Sequence, residues 1–256
     1  MDAFAGTGSR TIAEASGAST DDLFAEDVYE DAENRGYRDG SARIALGLRN
    51  PFHKYLFIDK SRSRVNELKK MIASDHSDLM ARCEFQQGDA NEVLKAWCKE
   101  RDWANERAVV FLDPYGMQVA WRTVQILAAT KGVDLWYLFP LGTGVARLLK
   151  RDGKLEQSWQ KRLDCVFGTG DWRSRFYEIQ TTQTLFGDRE SIERIATMDN
   201  IQGFINERLE SCFSGVAKGL VLRNSKSSPL YCLCFAAANE RGAPTAIKIA
   251  KEILAD

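Results

Sequence analysis

Residues 108–116 read Ala108-Val109-Val110-Phe111-Leu112-Asp113-Pro114-Tyr115-Gly116. An unbroken apolar run closed by an acid and a proline describes a strand buried on both faces that stops at an abrupt turn. The same design recurs on either side. Lys54-Tyr55-Leu56-Phe57-Ile58-Asp59 and Cys83-Glu84-Phe85-Gln86-Gln87-Gly88-Asp89 are strands that also end in an acid. Asp134-Leu135-Trp136-Tyr137-Leu138-Phe139 is a further strand, closed by Pro140. Helical stretches separate them: Val65, Leu68, Met71 and Ile72 keep helical spacing, as do Val93, Leu94 and Trp97 within 91–101, and 123–130 is helical too. Such alternation predicts a parallel sheet covered by helices on both faces.

The C-terminal third changes character. Residues 218–224 and 230–236 are two apolar strands joined by Ser225-Lys226-Ser227-Ser228, spacing that makes an antiparallel hairpin, and 243–254 is a final helix. The expected fold is therefore a mixed α/β sheet, mostly parallel with a C-terminal antiparallel hairpin, in one domain over 1–256. Two segments interrupt the pattern. Residues 9–40 carry acids at 14, 21, 22, 26, 27, 30, 31, 33 and 39 against Arg10, Arg35 and Arg38, and read as a long acidic loop with one short helix around Leu23 to Tyr29. It is either a solvated surface insertion or a mobile cover over the site. Residues 155–215, containing Trp159, Trp172, Phe176 and Tyr177, read as a helical insertion.

Composition narrows the class. With 256 residues, 44% hydrophobic and 28% charged, the chain is neither disordered, collagenous nor a coiled coil. Thirty-five basic against 36 acidic residues give a net charge of −1, which excludes a wholly basic nucleic-acid binder but not a local basic patch. No apolar run approaches the roughly 20 residues of a membrane span. The N-terminus lacks the basic and apolar regions of a signal peptide. The six cysteines form no C-x-x-C pair and have only His53 and His76 beside them, so no metal site is expected. Cys232 and Cys234 share one face of a strand and read as buried small hydrophobes, with a redox or metal role as the rarer alternative. This usage points to a reduced, cytoplasmic protein without membrane contact.

Ligands of open parallel sheets bind beyond the carboxyl ends of the strands, and four features converge there. Asp2-Ala3-Phe4-Ala5-Gly6-Thr7-Gly8 is an acid followed by a G-x-G turn, which lets the backbone approach a ligand closely. It is not the nicotinamide fingerprint, because Thr11 stands where the last glycine belongs and the next strand-end acid, Asp59, lies 51 residues beyond Gly8. If 9–40 is an insertion, the crossover helix runs from Ser41, its N-cap, to Leu48, and Asp59 follows Ser41 by 18 residues. Asp59 then occupies the position where an acid accepts hydrogen bonds from ribose hydroxyls, or it merely caps a strand-to-helix turn. Asp89, at the next strand end, is suited to an adenine amino group. Asp113-Pro114-Tyr115-Gly116 combines an acceptor, a stiff turn and an aromatic face, a set suited to a flat ring bearing an amino group.

Together these features resemble the class I S-adenosylmethionine-dependent methyltransferases, in that family's order. The closer resemblance is to the three-Cys-motif partner protein family. It rests on Asp2-x-Phe4-Ala5-Gly6-x-Gly8, Gly40-Ser41-Ala42, Phe57-Ile58-Asp59, the run from Phe111 to Gln118, Asp134-Leu135, Phe139-Pro140-Leu141-Gly142 and Pro229-Leu230-Tyr231, nearly the whole chain. The resemblance implies a Rossmann-like sheet and S-adenosylmethionine as cofactor, held by Asp2, Phe4, Gly6, Gly8, Asp59 and Asp89. It implies Asp113, Pro114 and Tyr115 as the catalytic loop, and a companion protein carrying the three-Cys motif, which this sequence itself lacks. Two departures stand out. The strand expected before Asp2 is missing, which would leave unpaired sheet edges. Amino-methylating enzymes carry Asp/Asn-Pro-Pro-aromatic, whereas here one proline is absent and Gly116 follows Tyr115.

Residues 145–175 hold eight basic side chains, Arg147, Lys150, Arg151, Lys154, Lys161, Arg162, Arg173 and Arg175, against four acids, with Trp159 and Trp172 interleaved. Bases and phosphates would find partners in such a set, notably Arg147, Lys150, Arg151, Lys154, Trp159 and Trp172. A solvated helical face with core tryptophans reads the same way. The expected function is methylation of an amino group on a nucleic-acid base. The alternative is a non-catalytic binding protein of the same fold that acts through a partner. The missing proline favours the alternative; intact Asp113 and Tyr115 oppose it. A third reading is a protein methyltransferase.

Overall fold

A computed structural model describes residues 1–10, 38–184 and 187–255. Ser9–Arg10 (β1) pairs antiparallel with Arg38–Asp39 (β2), and the Gly40 N–H donates to the Gly8 carbonyl at 3.0 Å. The acidic segment thus leaves and re-enters the domain at one closed base. The short helix expected around Leu23 lies outside the described residues. After Ser41–Leu46 (α1), Tyr55–Asp59 (β3) leads through Arg62–Asp75 (α2) to Cys83–Gln87 (β4). Ala90–Glu100 (α3), Ala108–Leu112 (β5), Trp121–Ala129 (α4) and Val133–Phe139 (β6) follow.

The main sheet is mixed. β3 pairs parallel with β4, and β5 pairs parallel with β6. Beyond β6, Pro229–Ala237 (β10) runs antiparallel, with Gly215–Arg223 (β9) antiparallel on its far edge. Residues Met1–Ala3 join the two halves. Asp2 bridges Phe57 and Phe111 in parallel, its N–H donates to Leu56 O at 2.9 Å, and its carbonyl accepts from Ile58 N at 2.9 Å. On the other side Phe111 N donates to Met1 O and Ala3 N to Phe111 O. The position expected to be missing is therefore filled near the carboxyl ends of its neighbours. Towards their amino ends the same gap is a slot of about 660 Å³ lined by Tyr55, Leu56, Ala108 and Val109.

Alternation along the strands assigns the two faces. Leu56 and Ile58 point into the larger core with Leu94 and Trp97 of α3 and Val124 and Leu127 of α4. Tyr55 and Phe57 point the other way, against Ala42 and Leu46 of α1 and Leu68 and Ile72 of α2. Phe235 and Ala237 pack under Ala243–Ile253 (α8), whereas Cys232 and Cys234 face the larger core, their Sγ atoms 3.6 Å apart. All six cysteines are free thiols.

Residues 155–215 are not simply helical. Gln157–Phe167 (α5) and Trp172–Phe176 (α6) are followed by a hairpin, Tyr177–Thr184 (β7) and Gly187–Arg194 (β8), before Met198–Glu210 (α7). The hairpin escapes a reading by period because most of its described side chains face water on both sides, Ile179 and Ile192 among them. Its base is fastened to the domain by Arg194, whose guanidinium donates to the carbonyls of Ala146 and Leu149. Among the described residues no helix is long and apolar enough to cross a membrane.

Candidate functional site

The chain runs outward from Met1–Ala3 to β3 and β4 on one side, and later to β5 and β6 on the other. The direction of winding reverses between Met1–Ala3 and β5, and a crevice opens at such a reversal beyond the carboxyl ends of the strands. Asp2, Gly6, Asp59 and Asp113 all lie at this end, and Asp89 lies one strand further out.

Asp2 is 5% exposed and engaged on both oxygens. Oδ1 accepts from Phe4 N at 3.2 Å and Oδ2 from Ser41 Oγ at 2.5 Å. Burial pushes its carboxyl above the usual range; the bonds from Ser41 and Phe4 and the Met1 ammonium act against burial, while the charge of Asp113 adds to it. Ser41 was expected to cap α1. It is instead the first helical residue, with Gly40 at the N-cap position and no side-chain cap, because its hydroxyl is turned to Asp2.

Two glycines shape the loop above. Gly6 stands at φ +58° and Gly8 at φ +78°, conformations that L side chains adopt at a cost. A Cβ on Gly8 would meet Met71 and Leu68 of α2. A Cβ on Gly6 would meet nothing within 4 Å among the described residues, so the backbone at Gly6 borders open space. Asp59 ties this loop to the next strand end: Oδ2 accepts from Gly6 N at 3.2 Å and Oδ1 from Ser61 N at 2.7 Å. Arg64 Nη1 lies 3.9 Å from Oδ2. Asp59 is 8% exposed, yet a carboxylate has about four acceptor positions, so two N–H bonds leave room for ligand hydroxyls. Phe4 is half-buried and packs against the larger core.

Asp89 is the N-cap of α3. Its Oδ1 accepts from Asn91 N and Nδ2, while Oδ2 takes no hydrogen bond among the described residues. It is exposed. Just beyond β5, Asp113 is half-buried, Pro114 buried, and Tyr115 52% exposed at the loop tip. Gly116 continues the turn at φ +65°.

Asn91, which the sequence reading passed over, ties these parts together. Its Nδ2 donates to Gln118 O at 2.9 Å and Asp89 Oδ1 at 3.1 Å. Its Oδ1 accepts from Ala120 N at 3.0 Å and Thr123 Oγ1 at 2.7 Å. Helix α4 has Ala120 at its N-cap position and no cap of its own, so Asn91 supplies one from α3. Nothing local in the sequence marks this residue; its partners other than Asp89 lie 27 to 32 positions away.

The basic segment divides. Trp172 is wholly buried, with Nε1 bonded to Asp164 Oδ1 at 2.8 Å, so its ring belongs to the core and offers no stacking surface. Arg173 grips both oxygens of Asp164 and lies over the Trp172 ring. Burial opposes ionisation of Asp164, but the bonds from Arg173 and Trp172 outweigh it and hold the carboxyl below its ordinary value. Arg175 is paired with both oxygens of Glu207. Arg147, Lys150, Arg151, Lys154, Lys161 and Arg162 are exposed, beside the half-buried Trp159, whose ring carries Lys150 Nζ at 4.9 Å. Among the described residues no three His, Cys, Asp or Glu side chains gather as metal ligands.

No family model matches this chain, and no curated protein matches it. Among solved structures it is similar to protein LPL1258 of Legionella pneumophila str. Philadelphia 1, assigned to family DUF519. That overlap has 14% identity and a TM-score of 0.38, and covers 82% of each chain. It is also similar to the glycopeptide N-methyltransferase MtfA, solved with S-adenosyl-L-homocysteine. There the identity is 12% and the TM-score 0.32, over 77% of this chain and 88% of the other. Overlaps this loose carry no assignment of function, which rests on the geometry of the crevice.

Proposed function

We propose that this protein is an S-adenosylmethionine-dependent methyltransferase whose acceptor is an amino group of a nucleic-acid base. The observation that carries the reading is the position of Gly6, Asp59, Asp89 and Asp113. They stand at neighbouring strand ends around the reversal of winding, where open α/β sheets take their ligands. The residues present fit the cofactor. The open backbone at Gly6 admits its amino-acid and sugar portion, Asp59 accepts from the ribose hydroxyls, and Asp89 Oδ2 accepts from the adenine amino group.

When bound, the cofactor supplies a methyl group already activated on a sulfonium. What remains for the protein is orientation and exclusion of water. Asp113 accepts a hydrogen bond from the target amino group and the Pro114 carbonyl a second, which increases electron density on the nitrogen. The exposed Tyr115 ring stacks on the base, which in a duplex is first flipped out. The exposed cations around Trp159 hold the phosphates. A companion carrying the three-Cys motif would act through the same chain.

The test is transfer of radiolabelled methyl from S-adenosylmethionine to total RNA, DNA and protein. Label in nucleic acid that is released as an N-methylated base supports the reading. Label confined to protein moves the acceptor to a side chain. Cofactor binding without transfer to any of the three establishes the non-catalytic alternative.

A further inference from the structure

We infer that Asn91 is a positioning residue that joins the catalytic loop to the adenine side of the cofactor site; the inference rests on the function proposed above. The Asn91 amide is saturated: two donors and two acceptor positions are its full capacity, and all four are used. Its orientation is fixed by its partners. Exchanging O and N would set an NH2 group against the Ala120 N–H and a carbonyl against the Gln118 carbonyl. The four bonds reach three separate parts of the molecule: the Asp89 cap of α3, the far end of the loop that begins at Asp113, and the first turn of α4.

The loop from Asp113 to Gln118 is exposed at its tip. Gly116 is at positive φ with no heavy atom within 4 Å of a Cβ position among the described residues, and Tyr115 is exposed. Its near end is fixed by β5 and its far end by Asn91. A ligand amino group on Asp89 Oδ2 loads the same carboxylate whose Oδ1 is bonded to Asn91 Nδ2. Ordering at Asp89 therefore orders Gln118, and through it the path from Asp113 to Tyr115. A helix cap alone would require only the acceptor bonds to Ala120 and Thr123; the donor bonds to Gln118 and Asp89 go beyond capping.

The experiment is hydrogen exchange of residues 114–120 in the full chain, with and without S-adenosylhomocysteine, with calorimetry recording binding. The parent, Asn91→Ala, Asn91→Asp and Thr123→Val are compared. Asn91→Asp keeps the acceptors for Ala120 and Thr123 and loses the donors, so it carries the test should Asn91→Ala fail to fold. In the parent, ligand should slow exchange of the loop by about tenfold, a typical coupling between two sites. Both Asn91 variants should still bind the ligand but lose most of that slowing, and Thr123→Val should retain it. Binding with undiminished slowing in the Asn91 variants overturns the inference, as does equal loss in Thr123→Val, which would reduce Asn91 to a cap. A parent that binds no S-adenosylhomocysteine overturns the cofactor reading itself and the coupling with it.

Discussion

The crevice and the basic segment use their charges in opposite ways. Around the crevice, Asp2, Asp59 and Asp89 are each held by backbone N–H groups within a few residues of a strand end, and Asp59 and Asp89 keep acceptor capacity in hand. Along 147–175 part of the surface charge is already paired with carboxylates of the same chain: Arg173 with Asp164 and Arg175 with Glu207, with Trp172 in the core beneath. A carboxylate fixed by backbone N–H groups has its place set by the fold and can still accept from a ligand. A cation fixed by a carboxylate has lost the charge a phosphate would use. The crevice acids thus keep acceptor positions that the paired cations of the basic segment have given up.

The largest effect that would sharpen this contrast is structural. Trp172→Ala should lose about 3–5 kcal/mol of stability, as buried aromatics do, whereas Trp159→Ala should lose about 1 kcal/mol. Denaturant unfolding of the two variants checks this, and equal losses would erase the division of the segment. On the crevice side, Asp113→Ala should lower turnover about 100- to 1000-fold with cofactor affinity unchanged, the range for a lost transition-state hydrogen bond. Methyl transfer at the parent rate would remove Asp113 from the chemistry. Tyr115→Ala should weaken nucleic-acid binding by about 1–3 kcal/mol, the range for one base stack, with little effect on stability because the ring is half exposed. The smallest effect belongs to the surface. Lys150→Ala should lower affinity for nucleic acid of any sequence and reduce the salt dependence by about one phosphate contact. An unchanged salt slope would remove Lys150 from the interface.

The same contrast explains what could be read from residue order. Strand β3 is a continuous apolar run ending in an acid because both its faces are buried, and β5 and β6 are similar runs with one face buried and the other half-buried. That made the sheet, its C-terminal hairpin and the strand-end acids legible. The hairpin of β7 and β8 was not, since strands that face water on both sides show no period. The sequence leaves Trp172 open between the core and a stacking surface because a five-residue helix such as α6 has too few positions to show which face is buried. Ser41 looks like a cap in any sequence that reads Gly-Ser-Ala before a helix; only its distance to Asp2 shows that the hydroxyl is engaged elsewhere. Asn91 follows Asp89 by two residues, but its role depends on a loop about thirty residues on, a contact made by the packing of α3 against α4 rather than by local pattern.

The most direct test of the central claim is calorimetric titration of S-adenosylhomocysteine into the parent chain and into Asp59→Ala. The ribose assignment predicts one site in the parent and a loss of about 1.5–3 kcal/mol in the variant, roughly 10- to 100-fold in affinity, with the variant still folded. Unchanged affinity in a folded Asp59→Ala protein, or no binding to the parent, would contradict the assignment of the crevice as the cofactor site.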